Sequence, residues 1–175
     1  MARDEGVTGV VGQILSYPIT VHPKFAPKDK YEYGSWQQNH NSSICDAITL
    51  EWFLDQYMPE PTDDWRLSSL LAPSLKNLPP ACERSHHTAL DIFPKTYIYI
   101  QAVLLTPRNL VISVCGYDPL RDDAFAYAER LKEEGGDVEL HTFKGLPHAL
   151  TMLAEHPKTQ EYYANLVAFV KKFSG

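Results

Sequence analysis

Apolar and polar positions are arranged most regularly in the last third of this chain. Asn109 to Cys115 is a largely apolar run of strand length, with Ser113 as its one internal polar residue, which predicts a strand buried on both faces. Between Arg121 and Glu134 the apolar residues fall at helical spacing, with Ala124, Tyr127, Ala128 and Leu131 on one face, and Gly135-Gly136 supplies a left-handed stop. Val138 to Phe143 predicts a second strand. Pro157 opens a terminal helix whose predicted buried stripe is Tyr163, Leu166, Val167, Val170 and Phe173. Strand, helix, strand and helix joined by short links imply a right-handed crossover and a parallel sheet, the mark of an α/β fold.

The earlier part of the chain is less periodic. Val10 to Tyr17 is mostly apolar and bounded by Gly9 and Pro18, which predicts another buried strand. Thr20 to Gln38, rich in Pro, Lys and Tyr with a glycine at Gly34, reads as irregular surface. A helix is expected from Ser43, where Ser43 and Asp46 have the spacing of a capping box. Ile44, Ile48 and Trp52 then repeat at i, i+4 and i+8, and Pro59 ends the pattern. The 13 prolines cluster largely between Pro18 and Pro107, and no internal repeat or low-complexity tract occurs.

Composition narrows the function classes. A chain of 175 residues suits one domain, and 44% hydrophobic with 22% charged residues is ordinary for a globular protein. The net charge of −6, with no cluster of Lys and Arg, argues against nucleic acid as a partner. Cys45, Cys82 and Cys115 are widely spaced and odd in number, which disfavours a disulfide framework and fits a reducing, cytoplasmic compartment. Met1 to Gly6 is polar, unlike a secretory signal, and the apolar run from Tyr97 to Leu105 is about half of what a membrane span needs.

The candidate chemistry lies at the ends of the two C-terminal strands. Functional groups in an open parallel sheet gather at the carboxyl ends of strands. Asp118 follows one strand and His148 the next, and neighbouring strands about 4.8 Å apart can bring their end loops together. A carboxylate that accepts from one imidazole nitrogen fixes the tautomer and leaves the other nitrogen to take a proton from a nucleophile. Each residue also has a plain structural reading. Asp118, before Pro119, is placed to cap the following helix, and a single histidine after a strand is more often a surface or core-satisfied side chain.

Asp118-Pro119-Leu120-Arg121-Asp122, Ala126-Tyr127-Ala128 followed by Leu131, and Gly145-Leu146-Pro147-His148-Ala149 together resemble the C-terminal part of the hormone-sensitive-lipase-like branch of the α/β-hydrolase esterases. Gly12-Gln13, Leu15 and Tyr17-Pro18 resemble the strand that follows the nucleophile helix in that branch. Trp65-Arg66, Ser68 and Leu70-Leu71-Ala72 resemble the link before the acid strand. The resemblance implies a partial α/β-hydrolase fold with Asp118 as triad acid and His148 as triad base. It also implies carboxylic ester hydrolysis by acyl transfer from a small-molecule ester, with no cofactor.

The departures from that pattern set further expectations. No Gly-x-Ser-x-Gly elbow and no His-Gly-Gly loop occur in the chain, and Gly34-Ser35 is a poor substitute in a polar loop. Met1 to Gly6 resembles the end of the helix that begins at the family's serine. The expectation is therefore a single truncated domain that is inactive alone, short of the N-terminal strands and the nucleophile. Residues 24–65 correspond to a lid-like segment, whose Tyr31, Tyr33, Trp36, Trp52 and Phe53 are expected in a core rather than in a pocket wall. Residues 82–108 form an atypical insertion; neighbouring histidines such as His86 and His87 point to opposite faces of a strand, so no metal site is expected there.

A non-catalytic alternative is an interaction module. In it, Val10 to Tyr17 would be an unpaired sheet edge that recruits another copy of the chain or a different protein. A third reading has a separately made N-terminal half completing the site in trans.

Overall fold

The computed structural model of the protein describes residues 11–76, 102–105 and 109–172. His86 and His87 lie outside these residues. Among the described residues four strands form one sheet: β1 (Val11–Ser16), β2 (Ala102–Leu105), β3 (Asn109–Tyr117) and β4 (Asp137–Pro147), in the order β2-β1-β3-β4. β1, β3 and β4 run parallel, as the strand-helix-strand pattern requires, and β2 adds an antiparallel edge.

That edge corrects one expectation. Val10 to Tyr17 was the candidate unpaired edge, yet Val11 to Ile14 pair with Leu105 to Ala102. The backbone groups on that side of β1 are satisfied by a strand from within residues 82–108, so this stretch of β1 offers no open ladder for another chain.

The faces of the sheet separate by the period of two that a strand imposes. Leu110, Ile112 and Val114 of β3 face one core with Leu15 of β1. α3 (Arg121–Glu133) covers this face through Ala124, Tyr127, Ala128 and Leu131, the stripe its periodicity predicts. The chain then turns at Gly135, whose φ of +87° is the left-handed backbone that glycine adopts most readily, and Gly136 N bonds back to the Leu131 carbonyl at 2.8 Å. Arg130 fastens the same helix to the Leu70 and Ala72 carbonyls.

On the opposite face Val111 and Cys115 meet α4 (Pro157–Lys171), which buries Tyr162 and Phe169 with Leu166 between them. The buried stripe differs from the expected one: Tyr163 and Val167 are about half exposed. The helix is rotated by one residue because Thr159, at its first turn, is fully buried and bonds the Leu150 and Leu153 carbonyls.

Residues 24–65 carry two α-helices, α1 (Ser35–Gln38) and α2 (Ala47–Tyr57). α2 starts later than expected, with Asp46 itself as the cap, accepting from Thr49 N at 2.7 Å. Its buried face is Ala47, Leu50 and Leu54. The expected face fails here: Ile48 is 63% exposed, Trp52 57% and Phe53 55%. The helix has apolar residues nearly all round, so spacing alone does not select a face. Tyr31 does reach the core, as expected.

Candidate active site

The position of the site follows from the register of β3 and β4. Cys115 pairs with Phe143, but Tyr117 pairs with Pro147, so β4 spends two more residues than β3 over the same step. Without that extra pair, His148 would overshoot Asp118 by about 6.6 Å along the sheet. Gly145, at φ +72°, supplies the left-handed residue in the irregular stretch. Gly116 allows the close approach opposite it, since a Cβ there would lie 3.0 Å from Gly145 N and 3.1 Å from Lys144 Cα. Tyr117 and Pro147 are partners, and the next residue on each strand is the acid on one side and the imidazole on the other.

The two side chains meet. Asp118 Oδ2 lies 2.9 Å from His148 Nδ1, and the residues are only 1% and 3% exposed. An imidazole that donates its Nδ1 hydrogen to this carboxylate keeps Nε2 as the nitrogen turned away from it. The structural reading of Asp118 also holds in part. Its Oδ1 accepts from Leu120 N at 2.8 Å, bracing the turn into α3, while the cap position of that helix belongs to Leu120. One carboxylate thus shapes its loop with one oxygen and orients the imidazole with the other.

A polar strap from residues 35–42 holds this turn from outside. Asn39 Nδ2 donates to the Asp118 carbonyl at 2.9 Å, and Ser42 Oγ donates to the Tyr117 carbonyl at 2.8 Å. Ser35 Oγ donates to the Pro119 carbonyl at 2.7 Å and accepts from Asp122 N at 3.1 Å. Asp122 Oδ2 receives Gly34 N and Ser35 N, both at 2.7 Å, and its Oδ1 takes Arg121 Nε at 2.7 Å. These donors outweigh burial and hold its carboxyl below the usual range. Asp123 faces inward instead, accepting from Thr20 N at 2.7 Å and Thr20 Oγ1 at 2.8 Å. Burial pushes its carboxyl up to about 7, although these hydrogen bonds oppose the rise.

Nothing in the spacing of the sequence marks the strap in advance. Its trace is visible only in retrospect, as short polar residues between Gly34 and Ser42 and as the second and third acids of Asp118-x-x-x-Asp122-Asp123.

The Ser35 hydroxyl and the Cys45 and Cys115 thiols are each held in a form unsuited to nucleophilic attack. Ser35 uses its hydroxyl as a structural pin, in keeping with its polar-loop setting. Burial, with the Asp118 charge adding to it, pushes the Cys45 thiol up to about 11 and raises Cys115 further still, so neither is a thiolate near neutral pH. Among the described residues no cluster of three His, Cys, Asp or Glu side chains is arranged to hold a metal ion. Among them, too, no helix is long and apolar enough to cross a membrane.

A family model described as alpha/beta hydrolase fold matches residues 1–82 and 96–152. The chain belongs to that family. The interruption in the match falls inside the 82–108 segment, and both dyad residues lie in matched stretches. Among curated relatives, versiconal hemiacetal acetate esterase of Dothistroma septosporum is 26% identical, over 93% of this chain and 40% of its own length. Esterase LipI of Mycobacterium tuberculosis is 30% identical, over 84% of this chain and 36% of its own. FAD-linked oxidoreductase pytB of Aspergillus terreus is 29% identical over 79% of this chain, a stretch that makes up 14% of that protein. This hydrolase-family chain therefore spans well under half the length of the curated relatives it matches.

Solved structures agree on the fold. Ester-hydrolase EH1AB1, from the metagenome of Lake Arreo, superposes with a TM-score of 0.67 at 27% identity, covering 97% of this chain and 44% of that one. The hyperthermophilic esterase of Pyrobaculum calidifontis superposes at 0.71 with 23% identity, over 98% and 46% of the two chains, a likeness of fold. Family, sheet and helices together make this an esterase-type α/β-hydrolase chain of the hormone-sensitive-lipase-like branch.

Proposed function

We propose that Asp118 and His148 are the acid and base of a serine-esterase site acting on small carboxylic esters. The buried hydrogen bond of 2.9 Å between Oδ2 and Nδ1 carries this reading. In the reaction a serine oxygen bonds to the ester carbonyl carbon as its proton moves to His148 Nε2. The imidazolium then gives that proton to the departing alcohol, and Asp118 stabilises the transient charge without accepting the proton. Water, activated by the same nitrogen, releases the acid and restores the serine. The chemistry calls for no cofactor.

On this reading the serine and the oxyanion donors come from outside these 175 residues, which contain no Gly-x-Ser-x-Gly elbow. Support comes from Ser35, whose hydroxyl is held by Pro119 and Asp122, and from Cys45 and Cys115, both un-ionised at neutral pH. The chain by itself is then expected to hydrolyse p-nitrophenyl butyrate at the rate of buffer. Turnover well above buffer that disappears in His148→Ala would reveal a nucleophile within the chain and overturn the second half of the proposal.

A further inference from the structure

Tyr17 stands out because two unfavourable features coincide on it. Its φ is +53°, in the left-handed region where a residue with a Cβ is crowded against its own backbone. The proline that follows steers its predecessor toward extended backbone, so Pro18 adds to the conflict. The phenol is also buried, at 5% exposure, and its hydroxyl has no hydrogen-bond partner among the described residues. Such features persist where the surroundings over-determine them, which in proteins is often at a functional site.

The left-handed turn has a clear geometric result. Tyr17 N still reaches the Ser113 carbonyl at 3.0 Å, one residue past the end of β1, and the ring swings beneath α4. There it meets the His148 imidazole edge-on, with ring centroids 5.6 Å apart and planes at 63°, and it stacks on Tyr162 at 5.9 Å. Through this edge-on arrangement it is the ring of Tyr17 that meets the histidine.

We propose that Tyr17 is a positioning residue for the histidine: its ring limits rotation of the imidazole and thereby keeps Nδ1 turned toward Asp118. Asp118 holds one edge of the ring and Tyr17 blocks it from swinging away. The inference rests on the acid–base role given to Asp118 and His148 above, and it adds a third side chain that touches neither substrate nor the transferred proton.

The test is nitrogen-15 NMR of the histidine side chains in the full 175-residue chain. The wild type is expected to show His148 as a single Nδ1–H tautomer with a slowly exchanging downfield ring proton. Tyr17→Phe keeps the ring and is expected to keep that signature. Tyr17→Ala is expected to mix the tautomers and speed exchange of the ring proton about tenfold, the scale of one aromatic edge contact. If Tyr17→Ala does not fold, Tyr17→Leu, which fills most of the space without an aromatic ring, reads the same signal. Leu131→Ala, on the opposite face of the sheet, controls for loss of stability alone and should leave the His148 signal intact.

An unchanged tautomer and exchange rate in a folded Tyr17→Ala or Tyr17→Leu chain overturns the inference, as does an equal change in Leu131→Ala. Asp118→Asn separates this from the proposed function. If Asp118→Asn alters the His148 signature and the Tyr17 variants do not, the dyad stands and Tyr17 is packing. If Asp118→Asn alters nothing, the dyad itself is at fault.

Discussion

Asn39 holds Asp118 across 79 residues of sequence, its side-chain amide donating to the main-chain carbonyl at 2.9 Å in a buried setting. The acid of the dyad is therefore fixed from two sides, by Leu120 N at its carboxylate and by Asn39 at its backbone. Asn39→Ala leaves that carbonyl without its side-chain donor, at a cost of about 1–3 kcal/mol. Urea denaturation should show a lower midpoint with an unchanged slope, since the surface exposed on unfolding stays the same.

Asp123 gives a pH dependence of definite sign. Its carboxyl titrates at about 7 in the folded protein and near the ordinary value of 3.8 when unfolded. Between those values the native chain holds the extra proton, so this group's contribution to stability is complete below about 4 and declines as pH rises to 7. Asp123→Asn mimics the protonated form, and its amide still suits Thr20 N and Thr20 Oγ1. The difference in stability between Asp123→Asn and wild type should grow in favour of the variant from pH 4 to pH 7 and level off above. Chemical denaturation at four or five pH values measures it, and a flat difference would count against the buried charge.

The two glycines at the strand crossing should respond differently. Gly145→Ala meets nothing within 4 Å but must hold φ at +72°, which costs about 1–2 kcal/mol. Gly116→Ala places a methyl 3.0 Å from a backbone nitrogen that cannot yield without moving β4, so its penalty should be the larger. Thermal melts rank the pair. Gly116→Ala alone should also disturb the His148 ring signals.

Exposure on α2 and α4 predicts a contrast in mutational cost. Trp52→Ser and Val167→Ala remove side chains that are more than half exposed, and each should shift stability by no more than about 0.5 kcal/mol. Phe169→Ala empties a fully buried position under β1 and β3, at about 3–5 kcal/mol. Equal losses at Val167 and Phe169 would mean that α4 packs by its other face.

What the sequence made legible follows from how local each cause is. α3 was readable because its apolar stripe is narrow and Gly135-Gly136 marks its end. The positions of Asp118 and His148 were readable as strand ends. α2 and α4 were readable as helices but not in orientation. α2 carries apolar residues on several sides, and a single buried threonine, Thr159, turns α4. The strap of Ser35, Asn39 and Ser42 was not readable, because its partners are main-chain carbonyls at 117–119, and backbone acceptors leave no mark on composition or spacing. The pairing of β1 with β2 joins segments about 90 residues apart, beyond the reach of any periodicity.

The two surplus residues of β4 make the geometry of this centre discrete rather than adjustable. Each added or deleted residue ahead of the histidine turns it to the other side of the sheet, and only changes by pairs return it to the same side, one full pleat away. The stretch around Lys144 is therefore constrained in length as well as in its glycine, since both set the reach of a single carboxylate.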